Sequence, residues 1–376
     1  MKTSKIEQFT LLEHFKILPD PRRIGHGRLK YELIDILVIA TIATICGADN
    51  WIDIEKFGQT KEKWFKQFLI LRNGIPSHDT FGRVFSILNP ELFEQCFREW
   101  VTYIKQEINQ EIISLDGKSL RRSHSKDERP LHIVNVFATT NGVVLGQRKV
   151  DGKTNEITVI PELLDKLFLK GCIVTTDAMG CQGSITQKIV ENKGDYVIAL
   201  KGNQGHLHTD VKTIFERESV DDILKSSYYF KTTEHSHGRD EVRECFVTDR
   251  LDQVRELDKW DGLQSLVKII STRTKSGITS METRYYISSL KPDAKQILST
   301  VRAHWKVESM HWSLDISFRE DESRVRIGHA GENLSLVRKM AFNFLKQETT
   351  AKGGIASKRR QAGWDMDYLK VVLGLE

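Results

Sequence analysis

Ile112-Ile113-Ser114-Leu115-Asp116-Gly117-Lys118 is a short apolar and β-branched run that closes on an acid, a glycine and a base. Side chains of this kind suit a pleated, buried strand. Such a strand can carry the Asp116 carboxylate to the end of a sheet, where Gly117 lets backbone approach a bulky polyanionic ligand. A second stretch repeats the pattern: Cys172-Ile173-Val174-Thr175-Thr176-Asp177 is again apolar and β-branched, and the small-residue turn Ala178-Met179-Gly180 follows. One aspartate at a strand end is ordinarily a turn residue or a helix cap. Two strands that both end this way point to one shared site, with Asp116 and Asp177 as candidate metal ligands.

The chain has 376 residues, enough for two or three domains and a sizeable core. Its 56 Lys and Arg against 51 Asp and Glu leave a formal charge of +5 and a pI near 8.8. That balance is compatible with nucleic acid without requiring it, so the distribution of charge decides. The five cysteines, Cys46, Cys96, Cys172, Cys181 and Cys245, show no Cys-x-x-Cys spacing. This argues against a zinc site or a disulfide framework and makes a reducing cytoplasm the simplest compartment. The start, Met1 to Glu7, lacks the apolar centre of a secretory signal. The long apolar run Ile36 to Cys46 falls well short of the ~20 residues that span a bilayer, so it reads as a buried helix and no membrane partner is expected.

Five regions follow from the changing pattern: a helical N-terminal domain over 1–110, the first part of an α/β core over 111–204, a β-rich insertion over 205–290, a helical return over 291–346, and a C-terminal tail over 347–376. In the first region, a short amphipathic segment at Phe9 to Phe15 is stopped by Pro19-Asp20-Pro21. Arg22 to Lys30 is a basic loop that either holds phosphate or is solvated charge. Helices are expected over Tyr31 to Cys46, from Trp51, over Lys61 to Leu71, and from Asp79 to Leu88. The last two flank a glycine-containing turn. They are either a plain αα-hairpin or a helix-turn-helix that would present His78, Thr80 and Arg83 to DNA.

From residue 111 the rhythm is that of strands. Asn141-Gly142, between His132 to Thr139 and Val143 to Val150, is a strong hairpin signal and makes the first three strands an antiparallel meander. Asn155 to Leu169 has helical spacing and leads into the Asp177 strand. Gln182 to Asn192 is a second helix, and Tyr196 to Lys201 a further strand. The sum is a mixed α/β sheet with helices on its faces. Tyr228 to Thr233, Val242 to Val247, Leu266 to Thr272 and Arg284 to Ser289 are strand-like, and only Asp210 to Phe215 in that region is helical by period. Helix is expected again from Ala294 to Phe318 with one break, and over Glu332 to Lys346. Lys358-Arg359-Arg360 reads as a solvated basic tail.

The third unusual passage is Val301-Arg302-Ala303-His304-Trp305-Lys306-Val307-Glu308-Ser309-Met310-His311-Trp312-Ser313-Leu314-Asp315. On one continuous helix, His304, Trp305, His311, Trp312 and Asp315 would share a face with Glu308. An aromatic stripe packed on a core is the plain interpretation. Imidazole and carboxylate groups on the same face make a poor core, and a buried glutamate needs a partner or a metal.

Together, Leu115-Asp116-Gly117-Lys118, Thr176-Asp177-Ala178-Met179-Gly180-Cys181-Gln182, Ala199-Leu200-Lys201-Gly202-Asn203-Gln204 and the helix carrying His304, Trp305, Glu308, His311 and Trp312 resemble the H-repeat-associated transposases, a branch of the insertion-sequence DDE transposases. The resemblance runs over nearly the whole chain, with the four motifs in order. It implies a ribonuclease-H-like fold, a mixed α/β sheet with a β-rich insertion placed before the last acidic residue. It also implies a catalytic triad Asp116, Asp177 and Glu308 that holds two Mg²⁺ ions, or Mn²⁺ in their place, for DNA strand cleavage and strand transfer at the element's ends. Asp116 would bridge both ions, with Asp177 and Glu308 each completing one. Double-stranded DNA is the implied partner, bound by a homo-oligomer.

Lys118, Lys201 and Arg302 are candidate phosphate contacts because each stands beside an acidic motif and a dense anion needs neutralising. Trp305 or Trp312 is a candidate stacking partner for an unpaired base, or packs beneath the helix. Relatives in the wider group place Tyr, Arg and Lys around the glutamate where this chain has Val301, His304 and Asp315. His304 and His311 either replace those groups as phosphate donors or are hydrogen-bonded within the protein. An inactive relic that only binds DNA, or a nuclease without strand transfer, are the alternative functions.

Overall fold

The computed structural model describes residues 10–22, 29–104, 111–124, 129–151, 155–217, 228–236 and 238–375. The start Met1 to Glu7 and most of the basic loop Arg22 to Lys30 lie outside it. Five helices come first: α1 (Thr10–Phe15), α2 (Leu33–Ile45), α3 (Trp51–Phe65), α4 (His78–Ile87) and α5 (Pro90–Ile104). α2 is apolar on every side, which only a buried helix can be, and nearly all of its residues are buried. α3 starts where the Asn50 side chain accepts the Asp53 N–H at 3.0 Å, kinks at Lys61 and ends at Phe65. Of the helix expected over Lys61 to Leu71, only the part up to Phe65 forms, running on from α3 past the kink. Leu69 and Leu71 are buried from a turn instead, Leu71 with φ of 40°.

This also changes the expected helix-turn-helix. Residues 66–77 separate α3 from α4, far more than the tight turn of that motif. The His78 ring faces α3, with Nδ1 2.6 Å from Glu55.

The rest alternates and then gathers into strands: β1 (Ile112–Ser119), β2 (His132–Ala138), β3 (Val143–Val150), α6 (Glu156–Leu164), β4 (Ile173–Thr176), α7 (Gly183–Glu191), β5 (Asp195–Leu200), α8 (Gly205–Arg217), β6 (Tyr229–Ser236), β7 (Arg239–Thr248), β8 (Ser265–Lys275) and β9 (Ile278–Ser288). Five further helices close the chain: α9 (Ala294–His304), α10 (Lys306–Ser317), α11 (Ala330–Gln347), α12 (Ile355–Trp364) and α13 (Met366–Leu373). The strands form one nine-stranded sheet in the order β3-β2-β1-β4-β5-β9-β8-β7-β6. β1, β2 and β3 are the antiparallel meander, turned at Gly142 with φ of 68°. β4 is parallel to β1 and β5 to β4. This is the mixed, ribonuclease-H-like arrangement. The β-rich insertion continues the same sheet, because β9 pairs antiparallel with β5.

Alternation along β1 divides the sheet's two faces. Gly117 faces α6, where Glu156 approaches, and Gly146 of β3 faces Glu94 of α5 on the same side. Asp116 and Lys118 face the other side, against α10. The larger apolar core runs from Leu11 to Leu373, so the N-terminal helices, the sheet and the last helices share it.

The expected solvated tail is a further correction. Of Lys358, Arg359 and Arg360, only Arg360 is exposed. Arg359 donates to the carbonyl oxygens of Thr44 and Ala48 and to the Asp49 carboxylate, each at 2.8 Å, and its guanidinium lies over the Phe318 ring. It thereby ties the C-terminal end of α2 and the turn after it to α12, a use of arginine that a run of basic residues does not reveal.

Candidate active site

β1 delivers Asp116, the end of β4 delivers Asp177, and the first turn of α10 delivers Glu308. The three line one cavity of about 590 Å³ together with Lys201, His304 and Trp305. Asp177 serves locally as a cap, accepting the N–H groups of Met179 at 2.9 Å and Gly180 at 3.4 Å. Burial and the negative charges of Glu156 and Asp116 push its carboxyl above the usual range, while these N–H groups pull it down. Glu308 is exposed at the rim, so the expectation of a buried glutamate does not hold.

The helix that carries Glu308 is broken. Trp305 ends α9 and begins α10, so the passage from His304 to Asp315 is not one continuous face. His311 turns inward, with Nδ1 3.3 Å from the Asp116 carboxylate and Nε2 3.0 Å from the Asn135 amide. Asn135 stands directly opposite Asp116 on β2. An amide donating to Nε2 makes that nitrogen the acceptor and leaves Nδ1 as the ring atom that faces Asp116. His304 is held by Thr175 at 3.0 Å, and Thr175 by Ser114 at 3.0 Å, which ties α9 to β4 and β1. Burial lowers the His304 pKa despite the nearby Asp116, which favours the uncharged ring. Both histidines are thus hydrogen-bonded within the protein.

The candidate phosphate contacts separate. Lys201 is exposed in the cavity wall. Arg302 is exposed but paired with Glu234 of β6. Lys118 is buried and does not line the cavity: its ammonium bridges Asp315 of α10 and Glu320, the latter at 2.9 Å. Burial opposes that charge, but the two carboxylates outweigh it and raise the Lys118 pKa. Glu320, fully buried, also accepts from Ser335 at 2.7 Å, and Lys339 stands 3.8 Å away. Trp305 is 42% exposed beneath the Arg284 guanidinium at 4.7 Å, and Trp312 is exposed outside the cavity.

Sequence reasoning missed Glu156. Its carboxylate lies against Gly117, accepts from His132 Nε2 at 2.7 Å, and His132 Nδ1 is 2.7 Å from Ser119. Nothing in the helical period of residues 155–169 marks it. Among the described residues, no three His, Cys, Asp or Glu side chains are grouped closely enough to hold a metal ion. The donor set itself fits one: Asp116 and Asp177 are close enough to repel, and an all-carboxylate set suits a hard divalent cation. Among the described residues, no helix is long and apolar enough to cross a membrane.

A mixed sheet that brings two aspartates to a cavity faced by a glutamate-bearing helix is the arrangement of the DDE recombinases. Residues 108–344 match the family described as Transposase DDE domain, and residues 12–101 match the DDE_Tnp_1-associated family. The chain belongs to the DDE transposase family, in its H repeat-associated branch. It is 40% identical to the H repeat-associated putative transposase YhhI of Escherichia coli K12, over 96% of this chain and 97% of that one. It is 42% identical to the putative transposase YncI of Escherichia coli O157:H7, over 97% and 94%. The inactive transposase YbfQ of Escherichia coli K12 is 45% identical over 20% of this chain and 88% of its own length.

Proposed function

We propose that this chain is a DNA transposase that cuts the ends of its element and joins them to target DNA at a site formed by Asp116, Asp177 and Glu308. The observation that carries the reading is that three separate elements bring these acids to one cavity. Asp116, Asp177 and Glu308 would hold two divalent ions, Mg²⁺ or Mn²⁺, once Glu308 moves in from the rim to join the two aspartates. Bound there, the metal would supply an activated water or 3′-hydroxyl and stabilise the leaving oxygen. His311 and Asn135 orient Asp116, and His304 fixes α9 on β4 and β1. Lys201 neutralises a phosphate, and Trp305 offers a ring face to an unpaired base.

The test is cleavage of labelled DNA carrying the element's own ends, with Mg²⁺, Mn²⁺ or EDTA. Metal-dependent cuts at the element boundary are expected from the wild type. Asp116→Asn, Asp177→Asn and Glu308→Gln should each abolish cutting and leave DNA binding nearly unchanged, because they remove metal ligation rather than basic contacts. Binding without cutting by the wild type in either metal would overturn the catalytic reading. Cutting without joining would leave a nuclease.

A further inference from the structure

A second concavity of about 460 Å³ opens beside the carboxylate cavity, and five arginines line it: Arg239, Arg243, Arg273, Arg284 and Arg302. Its floor is one face of the insertion's strands. Arg239, Glu241 and Arg243 alternate along β7, Glu241 is paired with Arg273 of β8, and Glu282 and Arg284 alternate on β9. Nearer the core, apolar residues of this sheet, among them Cys245, Val267 and Ile269, pack with Ile297, Leu298 and Val301 of α9. Further out along the hairpins the lining becomes arginine.

The charges there do not balance. Glu241 is buried and receives Arg239, Arg243 and Arg273; Glu234 receives Arg243 and Arg302; Glu282 receives Arg284. Five guanidinium groups thus face three carboxylates, and each guanidinium carries five donors and no acceptor. The Nε of Arg239 is buried without a hydrogen-bond partner, although Glu241 is 3.1 Å away. The concavity also adjoins the first one, since Glu282, Arg284, Tyr286, Val301 and Trp305 line both.

We propose that this arginine channel holds the phosphodiester backbone of the DNA strand where it continues past the Asp116, Asp177 and Glu308 cavity. The proposal rests on the reading of that cavity as a DNA-cleaving site. A linear polyanion seated at the carboxylates has to leave the cavity, and this exit offers surplus fork-shaped donors suited to phosphate. The ladder holds part of the site in reserve, since Glu234 occupies donors of Arg243 and Arg302 that a phosphate would otherwise take.

The experiment measures binding of full-length protein to a fluorescein-labelled duplex that carries the element end and its flank, in EDTA, over a series of salt concentrations. Arg273→Gln combined with Arg302→Gln should lower the affinity and reduce the slope of log K against log salt by about 2, close to one per lost phosphate contact. Glu234→Gln should act in the opposite direction and tighten binding several-fold, because it frees two guanidinium groups. A purely structural ladder would let Glu234→Gln lower the melting temperature with no gain in affinity. Unchanged affinity and slope in both variants, with a wild type that cuts the same duplex in Mg²⁺, would overturn the channel and leave the cavity's reading intact. A wild type that neither binds nor cuts its own ends would overturn both. If the double arginine variant does not fold, Glu234→Gln decides alone, and unchanged affinity overturns the channel.

Discussion

Gly117 sits between the site's central aspartate and a neighbour that sequence reasoning did not find. A Cβ there would stand 2.0 Å from the Glu156 carboxylate and 2.8 Å from His132 Nε2. The glycine was expected to admit a ligand; in the structure it admits Glu156. Gly117→Ala should push Glu156 aside, break its bond to His132 and cost about 1–3 kcal/mol, as overpacking does. Cleavage should change with it, since Glu156 is one of the charges that raise the Asp177 pKa and its displacement lets that carboxyl ionise more readily. Urea unfolding and end cleavage check both parts; an alanine variant equal to wild type in both would mean that Glu156 swings aside freely and has no part in the site. That Asp116, Asp177 and Glu308 would gather at one cavity was legible because strand composition and motif order mark them. Lys118 was misread because adjacency in sequence says which acid precedes a lysine, and nothing about the acids that meet it from α10 and from residue 320.

At the scale of elements, that lysine joins β1 to α10. Asp116 and Lys118 share one face of β1, and Asp315 lies about two turns beyond Glu308 on α10. The ion pair therefore fixes the strand that carries one acid against the helix that carries another. Lys118→Met should cost on the order of 3–5 kcal/mol, because it leaves the buried Glu320 short of a partner. Asp315→Asn should cost only about 1 kcal/mol, since Asp315 is partly exposed and Lys118 keeps Glu320. Equal costs for the two in urea unfolding would show that Glu320 does not depend on Lys118. The break at Trp305 was only partly legible. Helical period continues across it, and the two sides of the break make separate long-range contacts, His304 with Thr175 and His311 near Asp116, that no local pattern shows.

Across the whole molecule, the strands, the hairpin and the insertion could be read from local pattern. That the insertion extends the core sheet could not, because the pairing of β5 with β9 joins segments nearly ninety residues apart. The C-terminal helices were hidden in the same way: they hold to the body through apolar residues that join a core built from distant segments, and through a few buried polar bonds. Glu348, just past α11, accepts the Ala351 N–H at 2.9 Å and the Tyr368 hydroxyl at 2.7 Å, and pairs with Lys358 at 3.1 Å. Burial opposes its charge, but these donors and Thr350 prevail and hold its pKa down at about 2. A carboxyl whose pKa is lower folded than unfolded, where it is ~4.3, stabilises the fold above the unfolded value and loses that contribution as pH falls through the folded one. The difference corresponds to roughly 3 kcal/mol, present in full above about pH 5 and lost towards pH 2. Glu348→Gln should therefore destabilise the protein strongly at pH 7 and much less at pH 3, as measured by unfolding free energies at the two values. A deficit of the same size at both would mean that the carboxylate's charge has no part in holding α12 and α13, and that shape alone keeps them in place.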